Sequence, residues 1–122
     1  MKTNQFLRLL IIFFATSLFS QNIDTNLKTE IQKLLQLGAI VIDVRTPEEY
    51  QVAHYKGSLN IPYDVIETKI NELSKYKDKP IILYCRSGRR SGIAKSILER
   101  HGFKKVINGV NLSNFPESNV VR

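Results

Sequence analysis

The 122-residue sequence contains no tryptophan, one methionine and one cysteine, Cys85. A single thiol cannot form an internal disulfide, and a four-cysteine zinc site is excluded. The two histidines, His54 and His101, lie far apart and in no ligand spacing, so no metal is expected. There is no internal repeat, linker or low-complexity tract. The basic residues are not interleaved with aromatics, which argues against a nucleic acid partner. The length admits one compact domain and leaves no room for a separate cofactor module.

What the chain has in excess is concentrated at its start. Twelve of the first twenty residues are apolar, against forty of the remaining 102. Lys2 and Arg8 precede the run from Leu9 to Ala15, which continues to Leu18 and Phe19. A basic start, a short apolar core and a small residue at its end fit a secretory signal peptide over residues 1–20. A spanning helix needs about 20 apolar residues, more than this run supplies. Cleavage is expected after Ser20, with Ser17 the alternative; an uncleaved anchor is the competing reading. No cysteine follows the run, so a lipoprotein anchor is not available. The expectation is an exported protein, periplasmic or secreted, with no stable membrane association after cleavage. Without Lys2 and Arg8 the net charge falls from +7 to +5, an excess that solubility alone accounts for.

Beyond the leader, helical and strand patterns alternate. Leu27, Ile31, Leu34 and Leu35 recur at helical spacing before Gly38. Ala39 to Val44 is a β-branched run that reads as a buried strand. Thr46-Pro47-Glu48-Glu49 is a helix start, with Thr46 as cap and Glu49 completing a capping box. A short strand is expected at 58–61, and a helix on Val65, Ile66, Ile70 and Leu73. Ile81 to Tyr84 is a second buried strand. Ile93, Ala94, Ile97 and Leu98 mark a helix ending near Gly102, and Val106-Ile107 suggests a last strand. This alternation predicts a layered α/β fold, a mainly parallel central sheet of four to five short strands flanked by helices.

Cys85 stands at the carboxyl end of the strand 81–84, the edge where open α/β sheets hold ligands. Cys85-Arg86-Ser87-Gly88-Arg89-Arg90-Ser91 then leads directly into a helix. A lone cysteine ending an apolar strand is ordinarily a small core residue. Three arginines and a glycine following at once are not explained that way. A short loop can turn its N–H groups toward one centre, and the helix aims its positive end there too. A thiol at that centre is biased toward thiolate and nucleophilic.

These residues resemble a single-domain rhodanese, a thiosulfate sulfurtransferase-type domain. The resemblance rests on Val41-Ile-Asp-Val-Arg45, Thr46-Pro-Glu-Glu-Tyr50, His54-Tyr-Lys-Gly57 with Ser58-Leu-Asn-Ile-Pro62, and Ile82-Leu-Tyr-Cys-Arg-Ser-Gly-Arg-Arg-Ser91. It implies a rhodanese-like domain over residues 24–118, monomeric and cofactor-free. It also implies a persulfide cycle. Cys85 would take the outer sulfur of a donor such as thiosulfate and pass it to cyanide, a thiol or an acceptor protein. Arg86, Ser87, Gly88, Arg89 and Arg90 would form the anion-binding loop around Cys85. Asp43 and Arg45 would support it, Asp43 by holding Arg45 or the loop. Cysteine phosphatases place an arginine after cysteine and five residues; here that place is Ser91, so phosphatase chemistry is not expected. His54 is read as structural. Many members of the family carry a paired glycine and a tryptophan where this chain has Asn108-Gly109 and Phe115. Two other readings stay open: a non-catalytic carrier of sulfane sulfur or redox equivalents, and an anion-binding module with an idle thiol.

Overall fold

The computed structural model describes residues 26–122. The expected leader over residues 1–20 lies outside the described residues. Among the described residues, no helix is long and apolar enough to cross a membrane. The elements run α1 (26–36), β1 (Ile40–Asp43), α2 (Pro47–Val52), β2 (His54–Tyr55), β3 (Leu59–Asn60), α3 (Ile70–Leu73), β4 (Ile81–Cys85), α4 (Arg89–Arg100), β5 (Val106–Asn111) and β6 (Val120–Val121). Strands β3, β1, β4 and β5, in that order, form one parallel sheet. The layered α/β fold with a parallel sheet of four strands is therefore the one the alternating pattern predicts.

The period of two along each strand divides the core. Ile42, Val44, Ile81, Leu83 and Cys85 point to one face, where Ile66, Ile70, Leu73, Ala94 and Leu98 cover them. Val41, Ile82 and Tyr84 point to the other, against Ile31 of α1 and Phe115. All five residues of β4 are buried, so this strand is covered on both faces. Each such aliphatic side chain contributes about 1.5–3 kcal/mol when fully buried.

Local chemistry sets the element ends. The Thr46 hydroxyl accepts the Glu49 N–H, and the Glu49 carboxylate accepts the Thr46 N–H in return. The single helix expected on Val65 to Leu73 is instead a 3-10 turn (Ile66–Lys69), one α-turn and a second 3-10 turn (Ser74–Tyr76). None of these pieces has a side-chain cap. The spacing of Ile66, Ile70 and Leu73 buries the same face in either form, so burial does not enforce a regular helix. The tail, polar in composition, nevertheless packs on the domain. Phe115 is buried between Tyr55 and Tyr84, with ring centroids 5.1 Å from each. Beyond it, β6 pairs antiparallel with β2, His54 opposite Val121.

Candidate active site

The parallel sheet brings the carboxyl ends of β1, β4 and β5 to one edge. A cavity of about 440 Å³ opens there, lined by Arg45, Glu49, Val52, Cys85, Arg86 and Asn111 among others. Cys85 lies at its floor and is only 2% exposed. Cys85 thus borders the cavity while it packs in the core.

The loop turns sharply because Gly88 adopts a left-handed conformation, φ 91°. A side chain at this position would also meet Val110 at 3.3 Å. The turn aims the Gly88 N–H at the Cys85 sulfur, 3.1 Å away. Ser91, in the first turn of α4, places its hydroxyl oxygen 3.3 Å from the same sulfur. Burial pushes the thiol up, but hydrogen bonds from Ser91, Ser87 and Gly88 outweigh it and bring Cys85 down to about 7. The thiolate is therefore favoured at neutral pH relative to an ordinary cysteine.

The arginines divide. Arg86 lines the cavity. Arg89 is exposed at the start of α4. Arg90, grouped with the anion-binding loop on sequence grounds, is turned instead to Glu49 in a two-pronged ion pair with N···O distances of 2.7 and 3.0 Å. That pair holds the Glu49 carboxyl at about 2. Its charge is already answered, so Arg90 ties α4 to α2 and is not free to clamp a ligand.

Asp43 and Arg45 form a second closed pair. The fully buried Asp43 accepts from the Arg45 backbone N–H at 2.9 Å and from its guanidinium at 2.7 to 3.1 Å. The guanidinium also donates to the Ala53 carbonyl and lies over the Tyr84 ring, 5.4 Å from its centroid. Asp43 thus holds Arg45 and the chain leaving β1, one of the two roles considered for it. His54 stacks on Tyr50 with ring centroids 3.8 Å apart, and its Nδ1 lies 2.8 Å from the Tyr50 carbonyl oxygen. The first is a packing contact, and the second is a hydrogen bond in which Nδ1–H donates to the carbonyl.

Three residues carry more of the site than their sequence positions revealed. Glu49 showed only as half of a capping box. Ser91 closed the loop motif without an assigned task. Asn108 was marked only as standing where a glycine is common. Asn108 Nδ2 donates to the Gly88 carbonyl at 2.9 Å. Its Oδ1 accepts from the Ser91 hydroxyl at 2.7 Å and from the Val110 N–H at 3.0 Å. Val110 follows with φ 70°, a rare conformation for a β-branched residue.

The profile of the rhodanese-like domain matches residues 27–109. Thiosulfate sulfurtransferase PspE of Escherichia coli (strain K12) is 40% identical over 73 residues, 60% of this chain and 70% of that protein. YrkF of Bacillus subtilis (strain 168), whose given name is that of a sulfur carrier, is 44% identical over 70 residues. That match spans 57% of this chain but only 37% of YrkF. Among solved structures, a rhodanese with anions from E. coli superposes with a TM-score of 0.61 at 36% identity, covering 69% of this chain and 98% of that one.

Proposed function

The chain belongs to the rhodanese-like domain family, and from that premise we propose that it transfers sulfane sulfur through a persulfide on Cys85. The observation that carries this reading is the thiol at the cavity floor, with the Gly88 N–H at 3.1 Å and the Ser91 hydroxyl at 3.3 Å. These dipoles stabilise an anion on the sulfur. In the forward step the Cys85 thiol has released its proton to solvent. The thiolate pair then forms a bond to the outer sulfur of thiosulfate. The bond from that sulfur to the sulfonate breaks, and sulfite leaves with the electron pair. Cys85 is left as Cys–S–S⁻. An acceptor thiolate or cyanide next attacks the outer sulfur, and the Cys85 thiolate is regenerated. Charge is conserved in both steps and no cofactor is called on. Arg86, beside the thiol in the cavity, and the exposed Arg89 draw the anionic donor in.

We also propose that residues 1–20 act as a secretory leader, from their basic start and short apolar run, and that the site of action is periplasmic or secreted; fractionation of cells expressing the full chain tests it. A carrier role is the second reading, favoured by the likeness to YrkF. The test of the first is intact mass after incubation with thiosulfate. The wild type should gain one sulfur, about 32 Da, and Cys85→Ala should gain nothing. An adduct that cyanide or a small thiol discharges over many cycles supports the enzyme. A stable adduct that never turns over supports the carrier, and no adduct with any donor ends both.

A further inference from the structure

We propose that Asn108 is a positioning residue for the Cys85 sulfur, holding the Ser91 hydroxyl and Gly88, two of the groups from which that sulfur takes hydrogen bonds; this rests on the reading of Cys85 as the nucleophile. Asn108 lies on β5, behind the loop, and its amide is used at both ends: Nδ2 on the Gly88 carbonyl, Oδ1 on Ser91 and on the Val110 N–H. The Ser91 hydroxyl has one proton and two neighbours that can take it, Asn108 Oδ1 at 2.7 Å and the sulfur at 3.3 Å. With the thiol protonated, its S–H donates to Ser91, whose own proton goes to Asn108. When the thiol gives its proton to solvent, the Ser91 hydroxyl turns and donates to the sulfur. Asn108 Oδ1 then keeps the Val110 N–H and is not left unpaired. The second bond, to the Gly88 carbonyl, fixes the glycine whose N–H meets the sulfur.

Among the described residues, the charged groups near this thiol are Arg86 and two arginines already paired, of which Arg90 lies close enough for its charge to be felt at Cys85. Arg86 is the loop's own cation at the cavity. Arg90 is engaged by Glu49, and Arg45 by Asp43. Strand β5 brings no titratable group, and the face that packs on Cys85 from below is apolar. Thiol acidity is therefore set largely by hydrogen-bond donors, and Asn108 holds two of them, the Ser91 hydroxyl and Gly88.

The test is the rate of iodoacetamide alkylation of the full-length protein as a function of pH, read beside urea unfolding of each variant so that alkylation through the unfolded chain is separated from a shift of the folded thiol. Asn108→Ala should raise the alkylation midpoint by about one unit and slow alkylation several-fold at neutral pH. Asn108→Ser keeps a hydroxyl for the Val110 N–H but is too short to reach the loop. It should raise the midpoint in the same direction, and it serves where the alanine variant does not fold. On a Ser91→Ala background, Asn108→Ala should shift the midpoint by less than it does alone. An unchanged or lowered midpoint in a folded Asn108 variant overturns the proposal, and so does a shift of undiminished size on the Ser91→Ala background. The sulfur adduct measured on the wild type separates the two claims: a low midpoint without an adduct removes the transfer reading and leaves the role of Asn108 standing.

Discussion

The carboxyl ends of β1 and β4 are neighbours in the sheet, with Asp43 opposite Tyr84, yet they are finished in opposite ways. At the end of β1 a buried carboxylate meets a guanidinium, and both are used up. Arg45 covers both oxygens of Asp43 and spends its remaining reach on the Ala53 carbonyl. Asn60 then donates from β3 to the carbonyls of Asp43 and Arg45, each at 3.1 Å. At the end of β4, among the described residues, no ion of opposite sign is bonded to the sulfur. Among the described residues the hydrogen bonds to Cys85 come from dipoles, and the charged groups lining the cavity are, apart from Arg86, already paired. A buried charge with a full complement of partners is a structural knot. A group held in partial charge by dipoles, at the floor of a cavity, is poised for an incoming anion or electrophile.

The largest effect that separates the two ends is on stability. Asp43→Ala leaves the Arg45 guanidinium without its carboxylate, and breaking such a buried pair costs about 3–5 kcal/mol. Urea unfolding should show that loss. The alkylation midpoint of Cys85 should hold or fall in the same variant, because an unanswered Arg45 then faces the cavity. A rise would show that Asp43 holds the Cys85 loop as well, and the two ends would not be independent.

A second effect belongs to the β4 end alone. With Cys85 at about 7, alkylation should increase about tenfold between roughly pH 6 and 8. Stability carries the same signature. The folded thiol ionises below its unfolded value, so between the two the unfolded chain binds more protons and stability rises with pH. The contribution is complete above the unfolded value and is lost as pH falls through about 7. Denaturant midpoints measured across this range should show the slope in the wild type and lose it in Cys85→Ala. A slope that survives that substitution would assign it to another group.

The smallest effect lies between the ends. Glu49→Gln releases Arg90 from a pair whose side chains are 21% and 30% exposed, so stability should change by less than about 1 kcal/mol. The freed guanidinium adds positive charge near the cavity, and the KM for thiosulfate should fall about two- to threefold at low salt and converge with wild type at high salt. Initial-rate measurements at two ionic strengths check it. An unchanged KM at low salt would mean that Arg90 has no bearing on the donor even when free.

Much of this arrangement is legible along the chain because it is local. The capping box of α2 spans four adjacent residues, and the turn at Gly88 lies three residues from the thiol it serves. Strand periodicity of two already divides Val41, Ile82 and Tyr84 from Ile42, Leu83 and Cys85. The broken helix between Ile66 and Tyr76 was not legible, since its burial pattern suits both helical forms. The tail was hidden for a different reason. The pairing of β6 with β2 is between strands of two residues each, too short to leave a pattern, and Phe115 is one aromatic in a polar stretch.

By itself the sequence determined the alternation of the four main strands with helices, the buried β4 and the placing of one thiol between a strand end and a helix start. Those outcomes follow from side-chain shape, backbone propensity and periodicity over a few residues. Only the tertiary structure decided how the thiol is surrounded. Glu49 and Arg90 are 41 residues apart, and Ser91 and Asn108 are 17 apart. They meet because the parallel order β3-β1-β4-β5 gathers α2, α4 and β5 at one edge. Hydrogen bonds depend on distances of a few tenths of an ångström and on direction. Neither is encoded in the spacing of residues along a chain, and both are settled when the core packs.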